Sequence, residues 1–130
     1  EIKGNFSNLN FSPESLDIIR QGMFLSVNNQ KGTAYKARIL SSEQIMAGKT
    51  GTSQVRRISL AERETGVLTN EQLPWKQRDH AIFVAYAPFK NPQYAVSVIV
   101  EHGGSGAQIA APIGRDLLLN AFLNEKKSIS

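Results

Sequence analysis

Residues 48–52, Gly48-Lys49-Thr50-Gly51-Thr52, fit two kinds of chemistry. A glycine-lysine-threonine run ends phosphate-binding loops, where backbone N–H groups at the start of a helix surround the phosphates. That loop needs a second glycine at position 43, and the chain has Glu43 there. The residues that follow, Thr52-Ser53-Gln54-Val55, read as extended chain and not as the first turn of a helix. Both departures exclude phosphate binding at this stretch.

The other reading is Lys-Thr-Gly-Thr in a strand. Side chains alternate along a strand, so Lys49 and Gly51 share one face and Thr50 and Thr52 the other, while local twist lets neighbouring groups line one groove. Gly51 presents no side chain, so a substrate can lie against the backbone. Lys49 brings a positive charge that attracts a carboxylate and helps a neighbouring hydroxyl lose or relay a proton. Thr50 and Thr52 offer hydroxyls to that carboxylate. A backbone N–H on an open strand edge stabilises an oxyanion. The competing reading of these four residues is a plain polar strand end.

Lys-Thr-Gly works together with Ser-x-x-Lys and Ser-x-Asn in β-lactamases and penicillin-binding proteins. No serine of this chain has lysine three residues later, so the nucleophile and its base are absent. One Ser-x-Asn occurs, Ser26-Val27-Asn28, with Asn28 21 residues before Lys49. It falls at the end of a predicted helix and reads as a polar helix C-terminus. Asp79-His80 and Glu101-His102 invite a triad or a metal site. Adjacent strand residues point to opposite faces and no ligand spacing accompanies them, so structural or surface roles are expected. Trp75 reads as a packing anchor, with a wall of the cleft as the alternative. Asn-Phe-Ser at 5–7 and 10–12 matches a glycosylation acceptor, which a bacterial protein would not use.

These residues need elements to position them. Ser12 as N-cap, Pro13 in the first turn and Glu14 near the positive end predict a helix through about Asn28. Leu16, Ile19, Met23 and Val27 mark its buried stripe. Residues 34–42 are ambiguous, residues 44–56 read as a strand, and 57–79 form a long connection with helix starts at Ser59-x-x-Glu62 and Thr69-x-x-Gln72. A connection of that length is often a lid or binding element. It follows the Lys-Thr-Gly-Thr strand directly, so its base is expected beside the groove and its body on the acceptor side. Residues 80–87 and 94–102 read as strands of a hairpin, stopped by Pro88, whose near-continuous apolar content predicts cover on both faces. Gly103-Gly104-Ser105-Gly106 permits close backbone approach. A helix over about 107–124 carries Ile109, Ile113, Leu117 and Ala121 at a spacing of four, with Pro112 in its first turns or at a kink. The first ten residues read as loop or a short edge element.

Composition narrows the rest. The 130 residues fit one domain or a piece of a larger one, and 41% apolar with 20% charged residues is ordinary for a globular chain. The absence of cysteine excludes disulfides, thiolate zinc sites and a cysteine nucleophile. The net charge of +4 is scattered, apart from Arg56-Arg57 and Lys126-Lys127, so nucleic acid is not an expected partner. There is no signal peptide and no apolar run of about 18 residues to span a membrane, so any anchor is expected outside this chain. The start at Glu1 without methionine suggests a fragment.

The succession "MAGKTGTSQV", "RDHAIFVAYAPF", "YAVSVIVEHGGSG" and a final apolar helix resembles the C-terminal part of the transpeptidase domain of class B penicillin-binding proteins, of the penicillin-binding protein 2, cell-elongation type. The likeness covers about residues 12–124 and rests on order and spacing. It implies an α/β (α+β) fold, an antiparallel sheet with helices packed on its faces, as in serine β-lactamases. It makes the whole of residues 1–130 an incomplete domain without its nucleophile. The implied activity is a D,D-transpeptidase: a serine attacks the penultimate D-alanine carbonyl of a stem peptide, and the acyl group passes to an amine of a neighbouring strand. By motif, Lys49 is then the catalytic lysine of the third motif. Thr50, Gly51 and Thr52 bind the carboxylate end of stem peptide or β-lactam, and the Thr52 N–H is half of the oxyanion hole. In the family the functional Ser-x-Asn lies much further upstream than Ser26, and this chain alone is expected to be inactive. No cofactor or metal is implied. The implied partners are the rest of the domain, a glycosyltransferase and other elongation proteins, at the periplasmic side of the bacterial cytoplasmic membrane. Two other readings stay open. A serine β-lactamase or penicillin sensor shares the same strand, although the long connection and the "VEHGGSG" turn favour the transpeptidase. A non-enzymatic module would use only the sheet edge.

Overall fold

The computed structural model describes residues 10–128, with side chains to residue 125. The expectation for the first ten residues, the first glycosylation match and the Lys126-Lys127 side chains therefore lie outside the described residues, Asn10 excepted.

Helix α1 spans Pro13–Asn28 and begins as its sequence dictates: Ser12 is extended, its Oγ accepts from the Ser15 N–H, and Pro13 occupies the first turn. A single 3-10 turn, Tyr35–Ala37, occupies the ambiguous stretch and buries Ala34, Ala37 and Ile39. Strand β1, Ala47–Ser53, is shorter than the expected 44–56. The chain leaves the sheet after Ser53, and the Val55 N–H turns to the Asp79 carboxylate at 3.4 Å. Helix α2, Leu60–Thr65, opens with a full capping box between Ser59 and Glu62, and a 3-10 turn at Asn70–Gln72 opens with another between Thr69 and Gln72. Strands β2, His80–Ala87, and β3, Tyr94–Val100, form the expected hairpin, although β3 stops two residues early. A π-helical turn at Gly106–Ala110 leads into α3, Ala111–Ser128.

The three strands pair antiparallel in the order β1-β2-β3. Pairing sets Thr50 opposite Phe83 and Val98, and Lys49 opposite Val84 and Ser97. One face thus carries Ala81, Phe83, Ala85, Val96 and Val98, and α3 and the π turn cover it; α1 runs along β1. Phe83, Met46, Leu118 and Val27 are the largest fully buried side chains.

Two expectations about burial are corrected. The hairpin is fully covered on one face and partly on the other, where Ile82 and Tyr86 are half-buried but Val84 is 38% and Ile99 66% exposed. In α3 the spacing-of-four stripe is also the wrong one, since Ile109, Ile113 and Leu117 are exposed. The inward residues are Ala110, Ala111, Gly114, Leu118 and Phe122. A Cβ on Gly114 would press on the Phe83 ring, so close approach to the sheet selects small residues and not the largest ones. Along α1 the expected stripe is buried only at Val27; Leu16 and Met23 are half-buried, and Ile19 is 55% exposed.

Candidate active site

Three local structures hold residues 49–52 in place. The end of α1 is tied to the start of β1 by Asn28, whose Nδ2 donates to the carbonyls of Phe24 at 3.0 Å and Met46 at 2.9 Å. The turn after α1 brings Thr33 back to the strand. Its Oγ1 lies 2.9 Å from Thr50 Oγ1 and 3.3 Å from Ser26 Oγ, so three hydroxyls form a chain that ends on Thr50. Gly32 permits this turn, because a Cβ there would overlap the Ser26 and Leu25 carbonyls. Ser26-Val27-Asn28 is thus a polar helix end, as expected, with two side chains that support β1. Thr33 was not legible beforehand: its link to Thr50 spans 17 residues of sequence, and no local pattern marks it.

The third support is the Gly103–Gly106 segment. A Cβ on Gly106 would overlap the Gly51 and Ile82 carbonyl oxygens, with the Gly51 nitrogen just beyond. Those atoms converge between the strands, so the backbone groups of Gly51 turn toward β2. Backbone direction alternates every residue in an antiparallel strand, which turns Thr50 and Thr52 outward, along the edge of β1 that has no strand neighbour among the described residues. Lys49 fits this arrangement: its exposed side chain curls to the same edge, and Nζ donates to the Thr50 carbonyl at 2.6 Å. Lys49 also borders an apolar groove of about 650 Å³, whose lining includes Ile19, Met23, Thr33 and Val84. Lys49, Thr50 and Thr52 are therefore brought together at one open edge, while Gly51 between them turns its backbone groups inward.

The base of the long connection is pinned beside that edge. Asp79 accepts from Val55 N–H and from Asn70 Nδ2, while its own N–H donates to Asn70 Oδ1 at 2.8 Å. The Gly104 N–H donates to the Asp79 carbonyl at 2.8 Å. The His102 N–H donates to His80 Nδ1 at 2.9 Å, which makes that nitrogen the acceptor of its ring. His102 Nδ1 meets the Arg78 carbonyl, and the Trp75 ring packs edge-on against His102. His102 adopts a left-handed φ of 54°, a conformation that the two contacts hold in place. Both histidines are thus held in a backbone network, and Trp75, 56% exposed, packs against it. Among the described residues no group of three or more His, Asp or Glu is placed to hold a metal. Nor is any helix among them long and apolar enough to cross a membrane.

Further along, Arg56 grips Glu62 through two bonds of 2.7 and 2.9 Å. The Arg56 guanidinium, then the Ser59 N–H, hold the Glu62 carboxyl down at about 2.

Residues 3–119 match the family model described as the penicillin binding protein transpeptidase domain. The peptidoglycan D,D-transpeptidase MrdA of Salmonella typhimurium is 40% identical over 105 residues, which cover 81% of this chain and 16% of that protein. The crystal structure of Pseudomonas aeruginosa PBP2 in complex with WCK 5153 shares 35% identity and a TM-score of 0.64, over 91% of this chain and 22% of that one. The PBP2 of Helicobacter pylori, in its complex with MreC, has the same fold at 24% identity, with a TM-score of 0.65 over 95% of this chain and 20% of that one. The chain thus spans about one sixth of the curated relative's length. With Lys49–Thr52 on an open sheet edge and nine-tenths of its length matched, this chain belongs to the penicillin binding protein transpeptidase domain family.

Proposed function

We propose that this chain is the C-terminal portion of the transpeptidase domain of a peptidoglycan D,D-transpeptidase, and that it forms one wall of the active site. The observation that carries the reading is the open edge of β1, where Lys49, Thr50 and Thr52 stand together. In this reading the Thr50 and Thr52 hydroxyls hold the C-terminal carboxylate of a stem peptide, or the equivalent carboxylate of a β-lactam. The outward Thr52 N–H donates to the oxyanion that forms when a serine attacks the penultimate carbonyl. Lys49 stands at the mouth of the groove, where its charge assists proton relay from the attacking hydroxyl. Gly51 leaves the backbone open to the substrate. The chain from Ser26 through Thr33 orients the Thr50 hydroxyl.

The serine and its lysine come from a part of the domain outside these residues, since no Ser-x-x-Lys is present. The exposed Ile19, Val84 and Ile99 side chains border the groove and the open sheet face, which is where that missing part would pack. The parent protein would sit in the bacterial cytoplasmic membrane by an anchor outside this chain, with this domain on the periplasmic side. There it would work beside a glycosyltransferase and other elongation proteins. The test is Lys49→Ala in that longer protein. Penicillin acylation should slow roughly 100-fold, in the range of a lost proton-transfer group. Acylation at the wild-type rate would leave only a sheet-edge binding module.

A further inference from the structure

His80 and His102 meet at the end of the hairpin, with ring centroids 4.8 Å apart. Their nitrogens are not equivalent. His80 Nδ1 accepts the His102 N–H at 2.9 Å, so in the neutral ring this nitrogen carries no proton. His102 Nδ1 lies 3.0 Å from the Arg78 carbonyl, which can only accept, so here Nδ1 is the protonated nitrogen. A further proton on His102 goes to Nε2 and leaves its bond intact. A further proton on His80 goes to Nδ1, the atom that holds the His102 N–H. An imidazolium has two donors and no acceptor, so protonation of His80 breaks that bond. The bond holds His102 at a left-handed φ of 54°. A residue other than glycine keeps that conformation only where its surroundings impose it.

The turn that His102 opens reaches the motif strand. The Gly103 N–H donates to the Val100 carbonyl at 3.1 Å, and the Gly104 N–H to the Asp79 carbonyl at 2.8 Å. Two residues on, a Cβ on Gly106 would overlap the Gly51 and Ile82 carbonyl oxygens and stand 3.2 Å from the Gly51 nitrogen. Gly51 precedes Thr52, whose N–H is the oxyanion donor in the function proposed above. We propose, on the strength of that reading, that His80 is a pH-sensitive positioning residue for β1. Neutral, it fixes the His102 turn and, through Gly106, the backbone of Gly51 and Thr52. Protonated, it releases the turn, and the oxyanion donor loses its place. The hold is present at high pH and fades as the pH falls through the range of about 5 to 8 in which imidazoles change charge. The charged residues on the elements that meet at the pair are Lys76 and Arg78 around the 3-10 turn Trp75–Gln77, Asp79 before His80 and Glu101 before His102. Strand β1 brings Ser53 opposite His80 and no charge. Neither ring forms an ion pair among the described residues, where the pairs are Arg56–Glu62 and Arg115–Asp116. Two imidazolium rings this close repel, so the pair takes up its protons in two steps, and release follows the proton on His80.

The test measures the second-order rate of penicillin acylation from about pH 5.5 to 8 in the full-length transpeptidase and three variants. His80→Asn places an amide oxygen, an acceptor at every pH, where Nδ1 stood. His102→Gly adopts the left-handed turn without needing the bond. His80→Ala has no acceptor at any pH. The ratio of variant to wild type at each pH cancels the titration of the base that serves the serine. For His80→Asn and His102→Gly this ratio should be about one at pH 8 and rise roughly fivefold by pH 5.5, a size that the strain of one left-handed residue allows. His80→Ala should be slow throughout and approach the wild type only at the acid end. A flat ratio for either of the first two variants would overturn the proposal, as would wild-type acylation by His80→Ala at pH 8. No penicillin label on the wild type at any pH would sink the transpeptidase reading and this one with it. Labelling with flat ratios would sink the histidine switch alone.

Discussion

One added methyl group at Gly106 should disturb the site, because a Cβ there overlaps the carbonyls of Gly51 and Ile82 on two paired strands. Gly106→Ala is expected to cost about 1–3 kcal/mol of stability, as overpacking against backbone does. It should also slow penicillin acylation in the full-length protein, since the outward row of β1 must shift. Unchanged urea and acylation profiles would show that the strand does not depend on this approach. Tyr86 points the other way. Its hydroxyl is buried without a hydrogen-bond partner among the described residues, so Tyr86→Phe should raise stability by about 1 kcal/mol. A lower unfolding midpoint would reveal a partner for that hydroxyl. At this scale the placement of the motif on a strand was legible and its support was not. Lys49 to Thr52 speak through local alternation, which survives in a linear reading. Thr33 and Gly106 matter through contacts with residues 17 and 55 positions away, and no local pattern carries such information.

Helix α2 ties local signals to pH. Its capping box and the Arg56 pair both act through the ionised Glu62 carboxylate, held at about 2 against an ordinary 4.5. A depressed carboxylate stabilises the fold fully above its unfolded value, and that contribution fades as pH falls through the folded one. The protection factors of the amides at residues 61–65 should therefore be constant above about pH 4.5 and fall as the pH drops toward about 2. Glu62→Gln should remove that dependence. A change in protection between pH 5 and 7 would contradict the assignment. Caps such as Ser12, Ser59 and Thr69 were read correctly because a cap depends on neighbours within one turn. The inward face of α3 was misread because the distance between helix and sheet is set by Phe83, far away in sequence, and that distance admits Ala110, Ala111 and Gly114 but not Ile113.

Considered whole, the chain is a sheet with one finished face and one open one. Val84, Ile99 and Ile19 expose apolar area that a globular protein ordinarily covers. The 130-residue chain by itself should therefore self-associate at high concentration in light scattering. Joining it to the upstream part of its domain should restore a monomer. A clean monomer of the isolated chain would mean that this face needs no cover. The near-continuous apolar pattern of the hairpin suggested two covered faces, and in the proposed function the rest of the domain would supply the second cover. In the proposed function the same division of labour applies to catalysis: this chain would hold the carboxylate and the oxyanion, and the attacking serine would lie elsewhere. Peptide mapping of the full-length protein after reaction with penicillin tests that division most directly. A penicilloyl adduct is expected on a serine outside these 130 residues; an adduct on Ser26, or on any other serine within them, would contradict that division.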